Sequence, residues 1–225
     1  MVLGFAVIPF LIHKLGKDAF GLIVLAESAI VLFELVTVSV KMSLARYATF
    51  HLTRGEQREF ESLLSIGHRV FCWGAILVLA VGSTVAWSFQ HLFSVPSIYV
   101  QQSRILFILI TVAFAVTVPN MTAWSMLYSK HRYDLINLAS SMGLIVRAIG
   151  VFALYSLLPE KYSGLVLYGV AYLGMNCIQS LMVHIQARRI FPDLRLSRAR
   201  FDRLRVRELA AFSAYFSIGQ VSTYL

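Results

Sequence analysis

Apolar stretches of about one membrane thickness alternate with short polar segments along this 225-residue chain. A hydrocarbon core about 30 Å thick is crossed by about 20 apolar residues in a helix. The pattern predicts five complete spanning helices, at Phe20–Val40, Val70–Phe89, Ile105–Leu127, Leu135–Leu158 and Gly164–Ile185. The ten-residue alternation of a membrane β-barrel is absent. The predicted fold class is therefore all-α integral membrane, a polytopic transmembrane helix bundle.

Two further apolar runs are too short to span a bilayer. Val2–Ile12, at one end of the sequence, is either half a helix whose start is missing or a short entry segment. Ala210–Leu225, at the other end, is the start of another helix, and both ends look cut. The predicted domains are an N-terminal transmembrane helix bundle with an incomplete first helix (residues 1–185), a basic cytoplasmic or interfacial connector (186–208) and the incomplete start of a second helix bundle (209–225).

Composition agrees with a membrane protein. The chain is 58% hydrophobic and only 14% charged, whereas about a quarter of a soluble domain is charged. Fourteen basic residues lie in loops on one side of the predicted helices and four on the other, so the positive-inside rule makes the first side cytoplasmic. Eight of the fourteen are arginines between Arg188 and Arg207. They indicate a membrane surface rather than a nucleic acid, and no nucleic-acid partner is expected. Whether this segment is an interfacial strap or a solvated connector stays open.

Charged residues inside the apolar runs are few. Glu27, Glu34 and Lys41 recur every seven residues in the second helix, which puts them on nearly one face. They either line a cavity or anchor this helix to its neighbours.

Arg147 lies near the middle of the run Leu135–Leu158. A charge at that depth costs about 2.5–3.5 kcal/mol on insertion scales. Small and polar residues share its face, which is typical of a packing seam, although a seam does not need an arginine. Pairing with a glutamate would offset the desolvation cost, and a guanidinium also matches a phosphate.

Other predicted helices carry polar stripes too. Asn120 follows Pro119 in the fourth, and Tyr168, Tyr172, Asn176 and Gln179 recur along the sixth. Four such stripes predict a shared hydrated lumen. The candidate substrate- or cavity-lining residues are Arg147, Lys41, Glu34, Glu27, Asn120, Asn176 and Gln179.

Catalytic chemistry has little support in the sequence. No Walker, GxSxG or HExxH motif occurs, and the six histidines are not grouped with acids at ligand or general-base spacing. The two cysteines, Cys72 and Cys177, lie in apolar runs. We therefore predict no enzyme activity, catalytic residue, cofactor, metal site or disulfide.

Several short motifs occur in an order that resembles a known family. The opening IPFLIHKLGKDAFGLIVL is similar to a pattern in which a proline ends helix one and glycines lead into helix two. Glu34 resembles an acidic residue of helix two, and TRGEQREF, YSKHRYDLIN and ELAAFSAYF resemble segments before helices three, five and seven. The residues after the second helix, Leu44, Ala45, Arg46 and Tyr47, also resemble the pattern. The chain thus resembles polysaccharide biosynthesis and export proteins, the lipid-linked oligosaccharide flippases of the multidrug/oligosaccharidyl-lipid/polysaccharide exporter superfamily.

The resemblance implies the N-terminal lobe of a multi-pass flippase in the bacterial inner membrane. Its substrate would be an oligosaccharide on a polyprenyl diphosphate, moved by alternating access for polysaccharide or O-antigen export, with cavity cations meeting the diphosphate. Members are about twice as long, so a missing C-terminal lobe or a second copy is an expected partner, besides membrane lipid. The alternatives are a drug or cation exporter of the same superfamily and a non-catalytic membrane assembly subunit.

Overall fold

A computed structural model describes residues 2–93, 95–157, 164–192 and 194, without the side chains of residues 2–6 and 89–92. Six α-helices follow one another in this part of the chain. They are α1 (Val2–Leu15), α2 (Lys17–Thr53), α3 (Gln57–Leu92), α4 (Val100–Ser129), α5 (Tyr133–Leu157) and α6 (Gly164–Ile190), with one 3-10 turn at Ser97–Tyr99. Helices α2 to α6 are each long and apolar enough to cross a membrane. The predicted all-α polytopic membrane bundle is confirmed.

The helices extend beyond the predicted spans. Most of the segment between the predicted spans Phe20–Val40 and Val70–Phe89 is helical, because α2 continues to Thr53 and α3 begins at Gln57. Alanine, leucine, glutamate and arginine are strong helix formers, so a helix continues after the apolar run has ended. The remaining link is short and turns at Gly55, which has a φ of +72°.

Helix α1 ends on a glycine, not on its proline. Pro9 lies inside α1, which continues to Leu15. Gly16 then adopts a φ of +84°, and its N–H donates to the carbonyl of Ile12 at 3.0 Å. A left-handed residue after the last helical turn is a common helix stop that glycine adopts without strain. The expectation that Pro9 ends the first helix is therefore wrong.

Packing divides the chain into two compact units. The first unit comprises Met1–Val31, Ile76–Val116 and Ser140–Gln179, and the second comprises Leu32–Ala75, Thr117–Ala139 and Ser180–Leu225. The first has a core of fully buried side chains that includes Leu11, Ile23, Phe107, Ile110 and Tyr168. The core of the second includes Leu44, Phe60, Leu64, Ile66 and Leu127.

Small residues let helices of the first unit approach closely. A Cβ atom on Gly143 would lie 3.1 Å from the side-chain oxygen of Gln179, and one on Gly150 would lie 3.5 Å from the Cβ of Ala171. These two glycines of α5 therefore face α6. Close approach at small residues is the usual way in which helices pack in lipid. The two glycines on the face of Arg147 therefore belong to a packing seam.

The outward surface is apolar. Large hydrophobic side chains with more than half of their surface exposed occur on several helices, among them Leu32, Val36, Trp73, Leu77, Trp87, Ile149 and Leu181. Such an extent of exposed apolar surface is rare on a soluble monomer. It fits helices whose outer faces contact lipid.

Part of the predicted domain organisation lies outside the described residues. Helix α6 continues to Ile190, five residues into the predicted connector 186–208. Phe191, which follows it, is buried and packs on Phe60 with 5.4 Å between the ring centroids. The rest of the connector, apart from Pro192 and Leu194, and the predicted second bundle 209–225 are not described.

Gly82 provides a test of the close packing in the first unit. A Cβ atom at this buried position would overlap the side chain of Thr111, which is itself only 1% exposed and β-branched. We expect Gly82→Ala to lower the free energy of unfolding by about 1–3 kcal/mol, as overpacking usually does. Reversible unfolding in mixed detergent micelles measures this change.

The matched control is Gly21→Ala in α2, because no atom lies within 4 Å of a Cβ built there. That substitution is expected to leave the protein as stable or slightly more stable, since alanine favours a helix over glycine. Equal losses for the two variants would contradict the close approach at Gly82.

Candidate functional site

Three helices of the first unit bring charged and polar groups together. Helix α2 contributes Glu27, α5 contributes Arg147, and α6 contributes Tyr168 and Tyr172. Each of these side chains comes from inside an apolar helix, where no water replaces a missing partner. We call these four residues the Arg147 cluster.

One glutamate oxygen is the centre of the Arg147 cluster. Nη2 of Arg147 lies 2.7 Å from Oε1 of Glu27. The Tyr168 hydroxyl donates to the same Oε1 at 2.6 Å and accepts a hydrogen bond from Nη2 of Arg147. Hydrogen bonds that involve ionised groups are the stronger ones in proteins. Arg147 therefore pairs with a glutamate, and the partner is Glu27.

Aromatic rings also surround the guanidinium. Its central carbon lies 5.2 Å from the ring centroid of Tyr168 and 5.3 Å from that of Tyr172. The two rings are stacked, with their centroids 6.5 Å apart. A cation over an aromatic face gains about 0.5–2 kcal/mol, depending on how far it is desolvated. The rings thus stabilise Arg147 in addition to its ion pair.

The Arg147 cluster remains partly accessible. The side chains of Arg147 and Glu27 are 25% and 32% exposed, while Tyr168 is only 1% exposed. Tyr168 is thus the buried member of the cluster, whereas the side chains of Arg147 and Glu27 remain accessible to another molecule.

A cavity of about 230 Å³ opens beside the Arg147 cluster. Glu27, Arg147 and Tyr168 supply its polar wall. The remaining wall is apolar and comes from α1, α2 and α5, with residues that include Val7, Leu11, Phe20, Ile23 and Leu144. An apolar pocket with a few convergent polar groups is the usual form of a small-molecule site. Its lining suits an amphipathic molecule with one charged end.

The other candidates in the first unit make different contacts. The Gln179 side-chain amide donates to the Ser140 hydroxyl at 3.3 Å. Asn176 is buried, and its side-chain amide donates to the carbonyl of Tyr172 in its own helix at 2.9 Å. Neither residue lines the cavity beside Arg147.

The remaining candidates belong to the second unit. The Lys41 ammonium lies 4.3 Å from the centroid of the Trp124 ring. Glu34 is exposed, and Asn120 lines a separate cavity. Of the seven candidates, the structure therefore brings Glu27 and Arg147 together, and a lumen shared by all of them stays a prediction.

Two features could not be read from spacing. Tyr168 lies on the predicted polar stripe of α6, but its hydrogen-bond partner Glu27 is far away in the sequence. His68 and His184 have no recognisable partner in the sequence, yet both line the same cavity as Asn120. Hydrophobic periodicity assigns a face to a residue and does not identify the helix that packs there.

In the part of the chain that the structure describes, no group of three or more His, Cys, Asp or Glu residues could hold a metal ion.

Comparison with protein-family models, curated proteins and solved structures gives no significant match. No matched protein therefore assigns a role to the residues of the site.

A double-mutant cycle tests the ion pair. We expect Glu27→Gln and Arg147→Met each to destabilise the protein and the double variant to lose less than the sum, with a coupling of about 1–3 kcal/mol. Each single change leaves one charge in an apolar helix without its partner. Unfolding of the four proteins in mixed micelles gives the coupling.

Arg132 and Asp134 form the matched pair for comparison. Their side chains are 46% and 61% exposed and lie 2.8 Å apart. Exposed pairs contribute little to stability, so this cycle is expected to give a smaller coupling. A coupling at Glu27 and Arg147 no larger than this one would contradict the role assigned to the pair.

Proposed function

We propose that this chain is the N-terminal lobe of a bacterial inner-membrane flippase. Its substrate is an oligosaccharide linked to a polyprenyl diphosphate, translocated by alternating access for polysaccharide export. One observation supports the proposal above the others: Arg147 lies at the wall of a cavity that is otherwise mostly apolar. The motif resemblance gives the substrate class, and the geometry of this cavity agrees with it.

The guanidinium retains donors for a ligand. Both hydrogen bonds that Arg147 makes to described residues use Nη2. Nε and Nη1 remain for an incoming group, and a guanidinium binds phosphate oxygens with two parallel bonds. A diphosphate would therefore compete with Glu27 for the same cation.

The apolar wall suits the lipid part of such a substrate. Val7, Ile8 and Leu11 of α1 face the cavity together with Leu144 and Ala148 of α5. An isoprenoid chain can lie against this wall by van der Waals packing, as apolar groups do inside a membrane. The combination of a cation and an apolar wall recognises a lipid phosphate better than it recognises a free sugar.

The proposal includes a second lobe. Sites of secondary transporters lie between two repeats that move against each other. A C-terminal lobe or a second copy of this chain would supply the other wall of the site. The basic loops face the cytoplasm in this scheme, as the distribution of lysine and arginine predicts.

A drug or cation exporter is the second candidate. Glu27 lines the same cavity as Arg147 and Tyr168. A lipophilic cation could pair with this carboxylate and contact the Tyr168 ring. The two candidates therefore differ in which member of the ion pair the ligand takes.

Ligand binding to the purified chain in phosphatidylcholine nanodiscs separates them. For the flippase, polyprenyl diphosphate should bind more tightly than the polyprenol of equal length. Arg147→Met should weaken diphosphate binding about tenfold, as expected for a lost charge-assisted bond, and leave polyprenol binding unchanged. Glu27→Gln should strengthen diphosphate binding, because it releases Arg147.

Arg104→Met is the matched control. Arg104 belongs to the same unit, packs on the Trp87 ring at 4.8 Å and is not among the residues that line the cavity. Diphosphate binding insensitive to Arg147→Met would overturn the flippase proposal. Tetraphenylphosphonium binding that disappears in Glu27→Gln would support the exporter instead.

Translocation is tested by expressing this chain, joined to the C-terminal lobe of a lipid-linked oligosaccharide flippase, in a strain that lacks its own flippase, because the proposal requires a second lobe. We expect restored surface polysaccharide with the wild-type chain, loss with Arg147→Ala and partial activity with Arg147→Lys, since lysine keeps the charge without the paired donors. Normal export by both variants at normal membrane levels would exclude a role for Arg147. No export by a well-expressed wild-type chain would favour a non-catalytic assembly subunit.

A further inference from the structure

A second cavity, also of about 230 Å³, lies within the second unit. Its polar wall comes from three helices: His68 of α3, Asn120 and Thr122 of α4, and His184 and Arg188 of α6. None of these residues belongs to the Arg147 cluster. The function proposed above makes no use of this cavity.

The charge of the cavity wall has one sign. Among the described residues that line it there is no aspartate or glutamate, while Arg188 is a permanent cation and two imidazoles accompany it. Arginine side chains near a membrane surface commonly meet phosphate groups. The wall therefore favours an anion.

A buried hydroxyl points to a missing partner. Thr122 is 1% exposed, and its Oγ1 has no hydrogen-bond partner among the described residues. A threonine inside a helix commonly bonds the carbonyl four residues earlier, but Oγ1 makes no such bond here. An unsatisfied buried polar atom costs about 1–3 kcal/mol. A ligand that accepts a hydrogen bond from this hydroxyl would remove that cost.

Arg188 retains hydrogen-bond donors that no described residue uses. Within the described residues, its single hydrogen bond runs from Nη1 to the carbonyl of Leu194 at 3.5 Å, a long contact. Nε and Nη2 make no bond to a described residue. The guanidinium can therefore turn to a ligand without breaking an ion pair.

We propose that this cavity binds a phosphate group, with Arg188 as the main cation and Thr122, Asn120, His68 and His184 as further hydrogen-bonding groups. A tetrahedral phosphate presents several acceptor oxygens in different directions and can meet donors on three helices at once. Apolar residues complete the wall, among them Pro119, Met126 and Leu194. The phosphate group belongs either to a lipid headgroup or to free inorganic phosphate.

The test uses the full chain in nanodiscs and follows its thermal unfolding by tryptophan fluorescence. One arm adds inorganic phosphate to phosphatidylcholine nanodiscs, with chloride at equal ionic strength as the reference, because salt alone screens charges. The other arm replaces part of the phosphatidylcholine with phosphatidic acid. We expect a higher Tm in at least one arm.

The variants locate the effect. Arg188→Gln should weaken the apparent affinity about tenfold, the loss expected for a charge-assisted bond, and Thr122→Val should weaken it by a smaller factor. The matched control is Arg189→Gln, because Arg189 is the next residue of the same helix, is exposed and does not line the cavity. It should respond like the wild type.

Each outcome decides the proposal. Stabilisation by phosphatidic acid alone identifies a lipid headgroup, stabilisation by inorganic phosphate alone identifies the free ion, and stabilisation by both probes identifies the phosphate group itself as sufficient. No shift with either probe would overturn the site, as would equal losses in Arg188→Gln and Arg189→Gln. Because Arg147 takes no part, failure here leaves the flippase test unaffected, and the reverse also holds.

Discussion

The ion pair between Arg147 and Glu27 is the constraint on which the first unit depends. A cation in the middle of an apolar helix needs a partner, because lipid offers none. Glu27 supplies the charge and Tyr168 the buried hydroxyl, with the donor and acceptor atoms 2.6–2.7 Å apart at the carboxylate. One residue each from α5, α2 and α6 is thereby held in place, and the cavity wall formed by these helices is fixed as a consequence.

Cations in both units are accommodated by aromatic rings. Arg147 lies over two tyrosines, Lys41 lies 4.3 Å from the ring centroid of Trp124, and Arg104 lies 4.8 Å from that of Trp87. A ring stabilises a charge without introducing an opposite charge that would itself have to be desolvated. Of these cations only Arg147 also has a carboxylate within 4 Å among the described residues, which sets it apart as a group that a stronger anion could compete for.

Within the described residues, the number and type of helices could be predicted because apolar runs of about 20 residues leave few alternatives. Their ends could not. Helix α2 continues through Arg46 to Thr53 because its residues favour a helix. Helix α1 ends at the left-handed Gly16 and not at Pro9. Beyond the hydrocarbon core the apolar pattern no longer constrains the chain, so local backbone chemistry decides where a helix stops.

The sequence by itself determined that this is a polytopic helical membrane protein and that Glu27, Glu34 and Lys41 share one face of α2. Only the tertiary structure decided which of them meets Arg147. Periodicity orients a side chain about its own helix axis, whereas a partner depends on how neighbouring helices pack. The same reason explains the second cavity. Its polar residues come from three separate helices, and their sequence spacing carries no sign that they meet.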